Sequence, residues 1–177
     1  MESDQELIEL ANRGDSDAFE ALYHRYRDWV YRLAWRFTGN QSDALDVLQE
    51  TFAYLLGKFP DFELTAAMTT FLYPVVKHTS IAVRRKNQRF ASDDEALSEL
   101  AAPASQETER SRRELADVLA GLPEAQREIM LMRFVDGMSL QEIASALEIP
   151  LGTVKSRLHH ALRALRDDGR MRDYFLQ

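Results

Sequence analysis

The sequence predicts an all-α protein made of two small helical domains joined by a flexible acidic linker. Three observations predict it. Apolar residues recur at steps of three and four along long stretches of the chain. No strand-like alternation bounded by hairpin turns occurs. Between them lies residues 91–111, ASDDEALSELAAPASQETERS, which hold Pro103, small polar residues and six acids, and no aromatic falls between Phe90 and Phe134. The expected division is therefore a domain over 1–90, a linker over 91–111 and a second domain over 112–177, each domain long enough for a small helical core.

In the first domain, Phe19, Leu22, Tyr23, Tyr26, Val30, Leu33, Ala34 and Phe37 line one helix face that ends near Gly39. A second run, Ala44, Leu45, Val47, Leu48, Thr51, Phe52, Leu55 and Leu56, has the same period and ends at Gly57, ahead of Pro60. A third, from Phe71 to Arg89, is apolar early and basic late and contains Pro74. Proline lacks the backbone donor, so it is expected to kink this helix or delay its start unless it falls in the first turn.

In the second domain, Pro123 suits the first position of a helix running to Gly137. Ser139-Leu140-Gln141-Glu142 is a capping box: the serine hydroxyl accepts from the Glu142 amide while the glutamate accepts from the Ser139 amide. The short helix it starts turns Ile143, Ala144 and Leu147 inward and is broken by Glu148-Ile149-Pro150, because proline disfavours helical geometry in the residue before it. The next helix sets Val154, Leu158, Ala161, Leu162 and Leu165 inward and Lys155, Ser156, His159, His160, Arg163 and Arg166 outward. Small Ala144 lets the two helices approach closely at a steep angle, as in a helix-turn-helix whose second helix enters the major groove.

Charge supports that reading once it is divided along the chain. The net charge of −7 looks wrong for a nucleic-acid binder. Residues 91–111 alone carry one basic side chain against six acids, whereas residues 112–177 carry ten of each. Residues 151–166 hold Lys155, Arg157, Arg163 and Arg166 and no acid. A single basic stripe is most often a solvated helix face; the capping box, the proline-broken turn and the Gly152-Thr153-Val154 start weigh against that meaning here. Thr153, Lys155, Ser156, His159 and His160 are then expected near base edges or adjoining phosphates, and Arg157, Arg163 and Arg166 at phosphates.

Composition excludes other classes. The chain has no cysteine, so disulfides and thiolate metal sites are out, and it suits a reducing cytoplasm. His24, His78, His159 and His160 do not form a zinc spacing, and adjacent histidines on a helix point about 100° apart, so no metal and no cofactor is expected. No phosphate loop or nucleophile elbow occurs, so the chain does not read as an enzyme. The acidic start and the lack of an 18-residue apolar run favour a cytoplasmic protein without membrane insertion.

At this point the residues resemble a family. LPEAQREIMLMRFVDGMSLQEIASALEIPLGTVKSRLHHALRALR is similar to region 4 of extracytoplasmic-function (ECF) sigma factors of the sigma-70 family, and DALDVLQETFAYLLGKF, Asp43 to Phe59, to the region 2 helix that grips the RNA polymerase clamp. The resemblance implies that the chain binds core RNA polymerase at clamp and flap, recognises minus-35 and minus-10 promoter elements and promotes melting, with double-stranded and melted promoter DNA as partners. It also allows for an anti-sigma factor. It assigns polymerase contact to Asp46, Gln49 and Glu50, which share the face opposite the apolar stripe. It assigns the minus-10 end to Lys77, Arg84, Arg85 and Lys86, with Phe62, Phe71 and Tyr73 as aromatic candidates around a base-capturing loop at Asp61 to Thr70. Phe71 in place of the usual Trp, Pro74, His78 and Ala82 depart from the family pattern in this same segment. The acidic linker is read equally as a spacer or as a strand that occupies the RNA channel.

The other reading is a two-domain helix-turn-helix regulator that binds an operator independently of polymerase. The feature that separates the two is the Asp43 to Phe59 match.

Overall fold

The computed structural model describes residues 2–90, apart from the side chains of 88–90, and residues 117–168. All regular structure among the described residues is helical. The expected linker, 91–111, lies outside the described residues, so the expected domain limits are not fixed by it. The chain separates into two units, 1–98 and 99–177.

The first unit contains four helices: α1 (Asp4–Asn12), α2 (Ser16–Thr38), α3 (Gln41–Leu56) and α4 (Met68–Phe90). Their ends are set by side chains satisfying the amides that a helix start leaves open. Asp15 accepts from the amides of Asp17 and Ala18, at 2.9 and 3.2 Å, and starts α2. Gly39 ends it in the left-handed region (φ 78), a conformation that favours glycine, and donates to the Trp35 carbonyl at 2.8 Å. Asn40 then caps α3 by accepting from the Asp43 amide at 2.9 Å. Helices α2, α3 and α4 pack on one another and α1 packs on α2. Their shared core includes Leu7, Ile8, Leu22, Leu33, Val47, Leu55, Leu72 and Val76, all at most 1% exposed.

Two details differ from the sequence reading. Leu45 and Leu56, counted there in the apolar stripe of α3, are exposed; the buried stripe is Ala44, Val47, Thr51, Phe52 and Leu55. Those five lie at offsets 0, 3, 7, 8 and 11, within one narrow arc, whereas 45 and 56 fall outside it. Pro74 neither delays α4 nor falls in its first turn: it is inside a helix that begins six residues earlier and continues to Phe90. Its missing amide leaves the Thr70 carbonyl without the usual donor four residues on.

In the second unit, a helical stretch over 117–120 precedes α5 (Glu124–Phe134), α6 (Leu140–Ala146) and α7 (Leu151–Asp167). Pro123 is the residue before α5 rather than its first, and α5 stops at Phe134 instead of reaching Gly137. The chain reverses at Gly137 (φ 73), where Arg133 donates to the Met138 carbonyl at 3.0 Å and holds the turn. Helix α7 packs against α5 and α6. Val118, Leu122, Met130, Ala161 and Leu165 form one buried cluster, with Leu119 and Leu158 packed against it, and Ile129, Met132, Met138, Ile143 and Val154 are also buried.

Candidate nucleic-acid interface

Helix α6 begins as its sequence requires. The Ser139 amide donates to Glu142 Oε2 at 2.6 Å and the Glu142 amide donates to Ser139 Oγ at 3.2 Å, closing both halves of the capping box. Ile143, Ala144 and Ala146 are buried, and Leu147, expected on that inner face, is half-buried. After α6 the chain turns at Glu148, whose φ is 54°, and the Ile149 amide donates back to the Ala144 carbonyl at 3.0 Å. Pro150, in extended geometry, then leads into α7, whose start carries no side-chain cap.

On α7, Lys155, Ser156, His159, His160, Arg163 and Arg166 are exposed on the outer side, while Thr153 and Arg157 are half-buried. Leu162, expected inward, is exposed and lies beside Phe134 and Val135 on the rim of an apolar groove of about 280 Å³. The acid-free stretch ends against Asp167, which approaches Arg163 at 3.6 Å and Arg166 at 3.7 Å. All three are exposed, and such surface pairs are worth only about 0–1 kcal/mol, so a phosphate can displace them. The His159 and His160 rings sit edge to face, 5.8 Å apart. Among the described residues no group of three or more His, Asp or Glu side chains is arranged to hold a metal ion.

In the first unit, Asp46, Gln49 and Glu50 are exposed together on α3. Asp43, three residues before Asp46, has a different role. It is buried and accepts from Asn40 Nδ2 at 3.0 Å and from Asn87 Nδ2 at 2.5 Å, tying the start of α3 to the far end of α4. Spacing alone does not separate the two aspartates, because the carboxamide that draws Asp43 inward comes from a residue 44 positions away.

The minus-10 candidates divide. Phe62, 6% exposed, lies between Phe59 and Phe71 at centroid distances of 5.5 and 4.9 Å, and Tyr73, 0% exposed, packs edge-on against Phe37. Both rings belong to the core, so neither presents a face to a base in this structure; α4 turns Tyr73 inward together with Leu72 and Val76. Phe71 and Lys77 are half-buried, and Arg84, Arg85 and Lys86 are exposed. Arg84 also donates to the Phe37 carbonyl at 3.3 Å, close to the end of α2. The loop ahead of α4 is shorter than Asp61 to Thr70, because Met68, Thr69 and Thr70 already belong to the helix, with Met68 and Thr70 buried.

Several contributors escape the sequence reading. Helix α1 has the same capping-box signature as α6: the Ser3 amide and hydroxyl donate to Glu6 Oε2 at 2.7 and 2.9 Å, and the Glu6 amide donates to Ser3 Oγ at 3.3 Å. The first of these bonds, aided by the second, holds the Glu6 carboxyl below the ordinary glutamate value. At the other end of α1, Asn12 Nδ2 donates to the Phe62 carbonyl and Asn12 Oδ1 accepts from the Phe62 amide. Tyr54, near the end of α3, and Lys58, two residues past it, are also exposed.

One helical unit exposes an acidic face on α3, and the other carries a helix-turn-helix with an exposed basic face on α7, the pairing expected of a transcription protein. Both units match known proteins. Residues 22–90 match the family model for Sigma-70 region 2, and residues 112–165 that for Sigma-70, region 4. The chain is 30% identical to the ECF RNA polymerase sigma factor SigW of Bacillus subtilis (strain 168), over 90% of this chain and 92% of that protein. Two solved structures share the fold. One is CnrH in complex with the cytosolic domain of CnrY, with a TM-score of 0.67 and 22% identity over 92% of this chain and 94% of that one. The other is the sigma factor RpoE in complex with the anti-sigma factor NepR from Bartonella quintana, with a TM-score of 0.62 and 21% identity over 84% of this chain and 94% of that one. The chain belongs to the ECF sigma factors of the sigma-70 family and is an RNA polymerase sigma factor.

Proposed function

We propose that the chain docks on the clamp of core RNA polymerase through Asp46, Gln49 and Glu50, reads the minus-35 element with α7 and engages the minus-10 element with α4 and the loop before it. The observation that carries this reading is the separation of Asp43 from Asp46, Gln49 and Glu50. The first is used up inside the unit, while the other three stand together on an exposed face available to a basic partner. An operator-binding regulator needs no such face.

On α7, Ser156, His159 and His160 read bases with Thr153 and Lys155 beside them, while Arg157, Arg163 and Arg166 hold phosphates. At the minus-10 end, burial of Phe62 and Tyr73 leaves Phe71 as the aromatic candidate, with Lys77, Arg84, Arg85 and Lys86 along the strand. Unpairing costs a few kcal/mol per base, and a pocket for an extruded base together with a basic face for the strand offsets it without nucleotide hydrolysis. The protein works in the cytoplasm, performs no catalysis of its own, and takes an anti-sigma factor as a further partner. Among the described residues no helix is long and apolar enough to cross a membrane.

The test is a pull-down with core polymerase, comparing the natural chain with Asp46→Arg and Glu50→Arg. Loss of core binding in both, with the fold retained by circular dichroism, is the expected result. Undiminished binding would remove α3 from the interface.

A further inference from the structure

Four aromatic rings connect the loop before α4 to the protein surface. Phe59 meets Phe62 at 5.5 Å, Phe62 meets Phe71 at 4.9 Å, and Phe71 stacks on Tyr54 at 6.3 Å with only 20° between the ring planes. From Phe62 outward burial decreases: Phe62 is buried, Phe71 half-buried, and Tyr54 47% exposed. Lys58, one turn further along the chain, holds its ammonium 4.4 Å from the centre of the Tyr54 ring.

An exposed ring backed by a second, nearly parallel ring, with a cation over its face, has the chemistry of a single-stranded nucleic-acid contact: a base stacks on the ring once the cation leaves that face for a phosphate. We propose that Tyr54 and Lys58 form a base-stacking position for the melted non-template strand, outside the base-capturing loop. The inference rests on the proposed role of the first unit in melting. Lys58 covers the Tyr54 ring in the free protein and leaves it for the phosphate when a base arrives. Such an exposed cation–ring contact is weak enough to be exchanged.

The surrounding charge favours a base over a free anion. Glu50, Asp61 and Glu63 are exposed on the same helix and loop, so a single ammonium does not make a phosphate site, and stacking has to supply the attraction. Tyr54 also follows Glu50 by four residues, close to the face assigned to the polymerase clamp. A polymerase contact is therefore the competing outcome.

The experiment uses holoenzyme assembled from core polymerase and the full chain. The probe is a promoter fragment that this holoenzyme selects from a randomised library, rebuilt as a fork junction with a single-stranded non-template tail. Each tail position is replaced in turn by an abasic site. Tyr54→Ala is expected to weaken fork-junction binding roughly tenfold, the scale of one base–aromatic stack. One abasic position should weaken the natural holoenzyme by the same factor and the variant not at all. Tyr54→Phe should bind as the natural chain does, and Lys58→Gln should lower the salt dependence of fork-junction binding.

Affinity for core polymerase without DNA should not change in Tyr54→Ala. A loss there would make Tyr54 a polymerase contact and overturn the proposal, as would the absence of any abasic position coupled to Tyr54. Equal binding of fork junction and intact duplex by the natural holoenzyme would be a different failure. It would remove the melting role itself, and the stacking position with it.

Discussion

Asn12 grips the backbone of Phe62 from both sides: its amide nitrogen donates to the Phe62 carbonyl at 2.9 Å and its oxygen accepts from the Phe62 amide at 3.1 Å. The two residues are 50 positions apart, so the last turn of α1 fixes the loop that leads into α4. The Phe62 ring is thereby seated against Phe71, the aromatic candidate for the minus-10 strand.

Replacing Asn12 with Ala removes both bonds and leaves a part-buried amide and carbonyl to find water. A cost of about 1–3 kcal/mol to the first unit is expected. Urea unfolding followed by circular dichroism measures it, and the half-life of promoter complexes should fall in the same variant. Unchanged stability would mean that α1 does not support the loop.

Asp43 and Asp46 should behave as opposites. Asp43→Ala leaves the carboxamides of Asn40 and Asn87 without their shared acceptor, and is expected to cost about 1–3 kcal/mol of stability. Asp46→Ala, on the exposed face, should lie within about 0.5 kcal/mol of the natural chain. Denaturation of the two variants side by side separates them, and reversed effects would exchange their roles.

The division between these two aspartates marks how far the sequence could be read. Helices α2 and α3, their glycine ends and the capping box of α6 follow from local patterns, because caps and apolar periodicity involve residues within a few positions of one another. The family resemblance of the two segments was legible for the same reason. What escaped depends on distant partners. Asn87 turns Asp43 inward, Phe37 packs edge-on against Tyr73 in the core, and Asn12 clamps Phe62. Leu162 escaped for a related reason: the apolar stripe of α7 is wider than the partners α5 and α6 cover. Helix α1 was different, since Ser3-Asp4-Gln5-Glu6 repeats the signature of Ser139-Leu140-Gln141-Glu142 and was readable without any structure.

That cap gives a pH dependence. The Ser3 amide and hydroxyl hold the Glu6 carboxyl below its ordinary value, so the folded group binds a proton more weakly than the unfolded one. Its contribution to α1 is fully present above the ordinary glutamate pKa and is lost as pH falls through the lowered folded value. Titration of Glu6 by carboxyl-carbon NMR should give a midpoint below that of an unstructured glutamate, and Ser3→Ala, which removes the hydroxyl but keeps the amide donor, should raise it only part of the way. A midpoint at or above the ordinary value would contradict the cap.

Ser139→Ala should cost about 1 kcal/mol, because the Glu142 amide loses its acceptor at the start of α6. Thermal melting of the full chain measures it, and Ser139→Asp should retain most of the stability. No loss in the alanine variant would mean that the box does not hold the helix-turn-helix.

Arg163 and His159 should separate in kind. Arg163 is proposed to hold a phosphate, so Arg163→Ala should weaken holoenzyme binding to all promoters alike and reduce the salt slope by about one. His159→Ala should relax preference at one minus-35 position, at about 1–3 kcal/mol for a good base contact. Binding to a promoter series at several salt concentrations distinguishes them. A change of promoter preference in Arg163→Ala would reassign that residue to base reading.

The most direct test of the central claim, that the two units act together through polymerase, is run-off transcription from a randomised promoter library with core enzyme, with and without this chain, alongside binding of the selected promoters by the chain alone. Transcripts are expected only when both proteins are present. The templates should be enriched for two motifs at a fixed spacing, and the isolated chain should show little sequence preference. Equal transcription by core enzyme alone, or strong specific binding by the chain without polymerase, would contradict that claim.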